Sequence, residues 1–242
     1  MYSQYGEENI ILSFFNHKKN GLCVDVGAAD GILYSNSRFL IEKQEWNAFL
    51  IEPHPTFFKK LEKLYNENSK IKIINNAVFN KCDKLPFYIF GHDKEAQVST
   101  LSPEFKQKVI DLYKYNYEKI EIDTIRLSDL FKSIEAKIDF LTIDAEGVDL
   151  QVLESNDWLK YRPSLICIEH SMNQQVLKEY MESINYKKHA QTIGNTFFTN
   201  NSFNRNPISY LDLPKSFLGI KKKLGKLGLS VLKLTILSVL SF

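Results

Sequence analysis

Acidic residues recur in this chain where short apolar runs end. Asp25 stands in GLCVDVGAADG, Glu52 in WNAFLIEPHP, Asp144 and Glu146 in LTIDAEGVDL, and Glu169 with His170 in SLICIEHS. Runs rich in Val, Ile and Leu read as buried strands, so each acid sits at a strand end, where α/β proteins bind ligands. A carboxylate there can accept hydrogen bonds from ribose hydroxyls, as Glu52 is placed to do, or take a proton from a reacting hydroxyl. His170 is the best general-base candidate because a free imidazole titrates near neutrality, and Glu169 competes with it. Asp144, Glu146, Glu169 and His170 together would also make an oxygen and nitrogen site for a divalent metal ion. His17, His54, His92 and His189 read as solvated histidines of loops and element ends.

Asp25 is followed by a turn with Gly27 and Gly31 and then by a helix that Ser35 or Asn36 can cap. Glycines let a ligand approach the backbone, and a helix start offers N–H groups and partial positive charge. A nucleotide or a carboxylate suits such a place, although a glycine turn with no ligand has the same appearance. The spacing G-x-x-x-G fails both the dinucleotide and the phosphate-loop fingerprints, which counts against a pyrophosphate ligand. Downstream, Asn75-Asn76-Ala77-Val78 closes a third strand with a polar-to-small step suited to an adenine edge. Three successive strand ends thus converge on one ligand.

The elements that must position these groups alternate along the chain. Strands are expected at Leu22–Val26, Ala48–Glu52, Ile71–Asn75, Ile138–Ile143, Ser164–Glu169, Lys187–Thr192 and Thr196–Thr199. Helices are expected near Gly6–Asn16, Ser35–Lys43, Thr56–Asn66, Asp149–Trp158 and Asn173–Ser183. That alternation is the signature of a doubly wound α/β sheet covered on both faces. It breaks between Lys81 and Lys137, where an extra strand (Leu85–Phe90), a polar loop and a Tyr-rich segment (Tyr113–Tyr117) intervene. This insertion is either an acceptor-binding lid or a helix packing its aromatics on the body.

The motifs SQYGEENIIL, DVGAADG with SNS after it, IEPHP, NNAV, DTIRLSDLF, LTIDAEGVDLQVL and ICIEHS, in that order, resemble the FkbM-type methyltransferases. IDAEG is the most specific of them, with Ala145 where the family usually has valine. The resemblance implies the class I, Rossmann-like methyltransferase fold, a seven-stranded, mostly parallel sheet with helices on both faces, and S-adenosylmethionine as methyl donor. It places Asp25, Gly27, Ala28, Asp30 and Gly31 around the donor's methionine moiety, with Ser35 and Asn36 after them. Glu52 with Pro53 falls at the ribose, Asn76 and Ala77 at the adenine, and Ser3 and Gln4 in an N-terminal segment folding over the donor. Asp144 and Glu146, beside the donor's methyl group, and His170 are then the catalytic candidates, with Asp144 also bordering the donor; the alternative for Asp144 and Glu146 is a helix-capping pair. Asp123 and Thr124 read as the helix-entry residues of a structural turn and not as catalytic groups. The implied reaction is O-methylation of a sugar hydroxyl in a cell-surface polysaccharide or its precursor, a glycan or sugar-nucleotide acceptor. A small-molecule or natural-product O-methyltransferase, or a nucleotide-binding module without catalysis, are the alternatives.

Composition bounds the rest. The chain has 242 residues, 44% of them hydrophobic and 25% charged, which excludes a disordered chain, a coiled coil or a disulfide scaffold. The net charge of +2 is a sum of unlike parts. Asp212 is followed by six lysines and no acid, leaving 25 basic against 29 acidic residues before them. We therefore expect a methyltransferase domain over residues 1–204 and a basic, apolar tail over residues 205–242. Lys215, Lys222, Lys226 and Lys233 form one stripe of a helical wheel opposite Phe217, Ile220, Leu224 and Leu227, the pattern of an amphipathic helix on an anionic membrane. With one aromatic among its lysines, the tail has little on which bases could stack, and no nucleic-acid partner is expected. Three widely spaced cysteines without C-x-x-C and an acidic N-terminus point to the cytoplasm, with peripheral attachment to the inner face of the cytoplasmic membrane.

Overall fold

The structure, a computed structural model, describes residues 2–91, 93–170 and 174–200. His92, residues 201–204 and the whole expected tail helix of residues 205–242 lie outside the described residues.

Ten strands follow in chain order: β1 (Leu22–Val26), β2 (Asn47–Ile51), β3 (Ile71–Ile74), β4 (Ala77–Val78), β5 (Lys84–Ile89), β6 (Glu118–Ile125), β7 (Phe140–Ile143), β8 (Leu165–Glu169), β9 (Tyr186–Gln191) and β10 (Asn195–Asn200). Seven of them form one sheet in the order β3-β2-β1-β7-β8-β10-β9. Its first five strands run parallel, and β10 pairs antiparallel with both β8 and β9. This is the seven-stranded, mostly parallel sheet that the family resemblance implies.

Every residue of β1, β7 and β8 is buried, because helices cover both faces. The period of two sorts their side chains into separate cores. Val24, Val26, Ile143 and Ile166 face one core, shared with α5 (Leu127–Lys132), α6 (Asp149–Glu154) and α7 (Gln174–Ser183). Cys23, Phe140, Leu165 and Cys167 face the other, shared with α1 (Glu7–Phe15), α2 (Arg38–Gln44) and α3 (Pro55–Tyr65). Cys23, Cys82 and Cys167 are all free thiols, and burial pushes Cys23 and Cys167 well above the usual thiol range.

Three departures from the expected elements have local causes. The second helix begins at Arg38 rather than Ser35, since Tyr34 takes a left-handed φ of 61° and the Ser35 hydroxyl accepts from the Arg38 N–H. The helix after β7 stops at Glu154 instead of Trp158, where the Ser155 hydroxyl turns back to donate to the Val152 carbonyl. The insertion is an ordered module: β5 and β6 pair antiparallel, β4 joins β6 in parallel, and α4 (Pro103–Tyr113) packs across them. Strand β6 and helix α5 were not among the expected elements, and Ala77–Val78, expected to close the third strand, forms β4 of the smaller sheet. A helix was one alternative for the insertion, but Phe105 and Tyr113 of α4 pack, half-buried, against the module's own small core of Phe90, Val98 and Val109.

At the carboxyl end of the sheet, the turn after β1 passes directly over β7. Gly27 has a φ of +84°, and a Cβ there would lie 1.9 Å from the Asp144 carbonyl oxygen. Its N–H and that of Ala28 donate to the Ile51 carbonyl, so the backbone cannot move aside without breaking the sheet edge. Gly27→Ala should therefore lower stability by about 3 kcal/mol or more, combining left-handed strain with the clash. Urea denaturation would measure it, and a loss under about 1 kcal/mol, the ordinary cost of a substitution, would contradict this account.

Candidate active site

Two buried carboxylates stand side by side on neighbouring strands. Asp25 and Leu50 are register partners on β1 and β2, and Glu52 follows β2 by one residue. Each is only 5% exposed. Asp25 Oδ2 accepts from the Ser37 hydroxyl at 2.5 Å. Glu52 Oε2 accepts from the Ala29 N–H at 2.8 Å and Oε1 from the His54 N–H at 2.7 Å. Burial dominates both groups and raises Asp25 to about 6 and Glu52 to about 7, with the hydrogen bonds opposing it. Glu52 is thus oriented by the glycine turn on one side and by the start of α3 on the other.

The other expected donor-site residues separate into two kinds. Gly27, Ala28, Ser35 and Asn36 lie around Asp25: the Ser35 and Ser37 hydroxyls are 3.2 Å apart, and the Asn36 amide donates to Thr142 Oγ1 on β7 at 3.2 Å. Asp30, Gly31 and Asn76 have structural duties. Asp30 Oδ1 accepts from the Ile32 and Leu33 N–H groups, each at 2.9 Å, in a side-chain turn. Gly31, expected to admit a ligand, instead admits α3, since a Cβ there would meet Leu61 at 2.6 Å. Asn76 donates its amide to the Asp123 carbonyl at 3.0 Å, and Ala77 pairs with Thr124 in β4. Thr124 in turn donates to the Lys81 and Asp83 carbonyls from within β6, so it and Asp123 are strand residues and not the helix-entry turn expected of them. The neighbouring Asn75 binds the Glu52 and Pro53 carbonyls and so fixes the loop after β2.

Gln4 lies in an N-terminal segment tied at both ends. The Tyr2 ring meets Phe39 edge-on at 5.4 Å beneath the Arg38 guanidinium, and Tyr5 packs on Gly194 in the β9–β10 turn. Glu7, fully buried, accepts from the Tyr5 N–H, the Thr192 hydroxyl and the Asn195 amide. A glutamate inside an apolar helix pattern was the signal for this clasp, unread in the sequence.

Beyond the donor-side acids, Asp144, Glu146 and Glu169 each place a carboxylate oxygen within 4.8 Å of the others, at the ends of β7 and β8. The capping alternative for Asp144 and Glu146 fails: α6 begins after Val148 with no side-chain cap, and Asp149 Oδ1 takes the Ala145 N–H instead. Glu146 has a left-handed φ of 48°, an uncommon state for a side chain that clusters at functional sites. Its carbonyl accepts from Thr100 Oγ1 at 2.6 Å, and Gly147 after it packs on Phe105 of α4. Thr100, from the insertion, thereby clamps the acid turn.

His170 does not belong to this carboxylate group. Its Nε2 is hydrogen-bonded to Thr196 Oγ1 and its ring also to the Ile193 backbone, so the imidazole faces the β9–β10 hairpin. Desolvation lowers its pKa from the ordinary histidine value. An oxygen and nitrogen metal site that includes His170 is therefore not assembled among the described residues; the oxygens alone converge. His54 and His189 are buried, contrary to expectation. His54 caps α3 through Nδ1, which accepts from the Thr56 N–H, and its Nε2 then donates to the Gly91 carbonyl.

A family model described as the methyltransferase FkbM domain matches residues 25–191. Among solved structures, the METTL16 methyltransferase domain aligns at 13% identity and TM-score 0.48, over 81% of this chain and 66% of that one. TrmK of M. capricolum, in complex with S-adenosylhomocysteine, aligns at 11% identity and TM-score 0.47, over 88% of this chain and 74% of that one. This chain thus spans just under two thirds of the METTL16 domain's length. No curated protein matches it.

The two raised carboxylates make stability depend on pH. A carboxyl whose folded pKa exceeds its unfolded value binds its proton more tightly in the folded state, so its contribution is full below about pH 4 and lost as pH rises through its folded value. Glu52 loses this between about 4.5 and 7. Glu52→Gln should thus gain stability relative to the native chain on going from pH 5 to pH 8, by about 1–3 kcal/mol. Denaturation of the donor-free protein at both pH values measures it, and an equal difference at each would refute the assignment.

Proposed function

The chain belongs to the methyltransferase FkbM domain family, and from that premise we propose that it methylates a hydroxyl of a sugar, in a cell-surface polysaccharide or its precursor. S-adenosylmethionine, the donor of the family, supplies an electrophilic methyl group when bound. The residues suit it: Glu52, buried and aimed by two backbone N–H groups, offers its remaining lone pairs to ribose hydroxyls, while Asp25, with the Gly27 turn after it, offers a carboxylate to an amino-acid moiety.

The observation that carries the acceptor assignment is the convergence of Asp144, Glu146 and Glu169. A hydroxyl must lose its proton as it is methylated, and a positioned carboxylate can take that proton, a contribution typically of 10²–10⁴-fold. We assign the role to Glu146, held rigidly by Thr100, with Asp144 and Glu169 beside it. His170, expected as the base, is better read as fixing the β9–β10 hairpin, because its ring is hydrogen-bonded there. The same carboxylates disfavour a phosphate-rich polymer by like charge, which supports a neutral acceptor and keeps nucleic acid outside the reading.

The test uses labelled S-adenosylmethionine and surface polysaccharide extracted from cells lacking the protein. The native chain should transfer label, Glu146→Gln should lower kcat on the order of 10²-fold with unchanged donor affinity, and His170→Gln should stay within about tenfold. Label appearing on free small molecules but not on polysaccharide would favour a natural-product methyltransferase, and donor binding without transfer a non-catalytic module. Oxygen ligands of this kind also suit a hard divalent cation. Turnover is expected to survive EDTA, and a loss restored by magnesium would assign the carboxylates to a cation instead.

We further infer that residues 205–242 bring the enzyme to the inner face of the cytoplasmic membrane as a peripheral protein, since six lysines there alternate with apolar residues. Among the described residues no helix is long and apolar enough to cross a membrane. Vesicles containing phosphatidylglycerol should retain the full chain and release one ending at Leu213. Equal retention of both would overturn the assignment.

A further inference from the structure

Beside the acid turn lies a cavity of about 230 Å³ that Phe79, after β4, borders together with three longer walls. One wall is the insertion, from Leu101 to Glu104 at the start of α4. A second is the chain from Gly147 to Gln151, which continues directly from Glu146. The third is the first turns of α7 at Val176. The first two walls are joined where Thr100 Oγ1 donates to the Glu146 carbonyl and Phe105 packs on Gly147. The cavity therefore begins one residue from the carboxylate assigned as base.

We propose that this cavity is an acceptor subsite that holds one neutral sugar ring, the neighbour of the ring that is methylated. The inference rests on the sugar-hydroxyl reading above. Size limits the occupant: pockets for drug-sized ligands run roughly 300–1,000 Å³, so this one has room for a single ring. Charge narrows it further. The charged lining residues are Glu104 and Asp149, both acids, and the lining contains no lysine, arginine or histidine. A phosphate or sulfate would enter against like charge, whereas carboxylates and the Gln151 amide can bind hydroxyls. Leu101 and Val176 supply the apolar surface on which the C–H face of a sugar rests. Val176 is 45% exposed at the mouth, so the ring can enter from solvent while its linkage leads toward Glu146.

The probes are the methyl glycosides of mannose, galactose, glucose and rhamnose, observed by saturation-transfer NMR on the full chain loaded with S-adenosylhomocysteine. At least one glycoside should give a signal. Val176→Trp, on an exposed helical position, should fill the mouth and remove that signal while calorimetry shows unchanged S-adenosylhomocysteine affinity. Gln151→Ala should weaken glycoside binding about fivefold, the worth of one neutral hydrogen bond. No signal with any glycoside, a signal that survives Val176→Trp, or displacement of the glycoside by inorganic phosphate would each overturn the subsite. A blockable glycoside signal with no methyl transfer to polysaccharide would uphold the subsite and overturn the transfer reading alone.

Discussion

The active-site region depends on one close approach. Where β1 ends, the backbone of Gly27 lies against the Asp144 carbonyl at the end of β7, with no space for a side chain between them. The Asp144 N–H donates to the Val26 carbonyl, and the Gly27 N–H to the Ile51 carbonyl, so three strand ends are joined by main-chain contacts alone. Asp25 and Glu52 lie on one side of this joint and Asp144 and Glu146 on the other. The spacing between these two pairs of acids is therefore set by backbone geometry. For an in-line transfer, which requires the two reactants aligned to within a fraction of an ångström, a joint of this stiffness is the structural prerequisite.

The insertion applies the same logic from above. Its two ends of contact are polar and specific: the Gly91 carbonyl accepts from His54 beside Glu52, and Thr100 donates to Glu146. Between them Tyr88 and Thr100 exchange main-chain hydrogen bonds, so the two contacts belong to one rigid piece. The module thus holds His54, next but one to Glu52, on one side and the Glu146 backbone on the other. It adds a wall to the acceptor side without adding a catalytic group. Thr100 serves twice, since its hydroxyl also accepts from the Ser102 N–H at the start of α4. A single buried hydroxyl thereby orients both the acid turn and the helix that walls the cavity.

Much of the sheet was legible because its central strands are continuous apolar runs, which only burial on both faces explains. The site acids were legible for the same reason: an ionisable residue at the end of such a run is conspicuous. What escaped was carried by residues whose types are common and whose partners are distant. Strand β6 alternates Ile120, Ile122 and Thr124 with charged neighbours, a period of two that the lysines and glutamates of the insertion masked. Thr100, Ser37 and Glu7 act through hydrogen bonds to residues 46, 12 and as many as 188 positions away, and no local pattern marks such pairs. The glycines stand out in the sequence, but not their partners within the protein, the Asp144 carbonyl for Gly27 and Leu61 for Gly31, since a positive φ serves packing as well as it serves a ligand.

Electrostatics ties these parts to a choice of acceptor. Five acids, Asp25, Glu52, Asp144, Glu146 and Glu169, lie at the carboxyl ends of four adjacent strands, and burial above all raises Asp25 and Glu52 toward neutrality, with neighbouring acids adding to it at Glu52. A crevice of this kind attracts a donor that carries a net positive charge and then presents it with carboxylates at the far end. An anionic acceptor would have to displace that balance, whereas a hydroxyl adds no charge: as its oxygen takes the methyl group its proton neutralises a carboxylate, and the donor's sulfonium leaves as a neutral thioether. The acid-rich crevice and the acid-lined cavity beside it thus carry charge of the same sign. The six lysines beyond Asp212, which turn the chain's sum positive, lie apart from the crevice in sequence, so the rest of the chain has a net acidic balance.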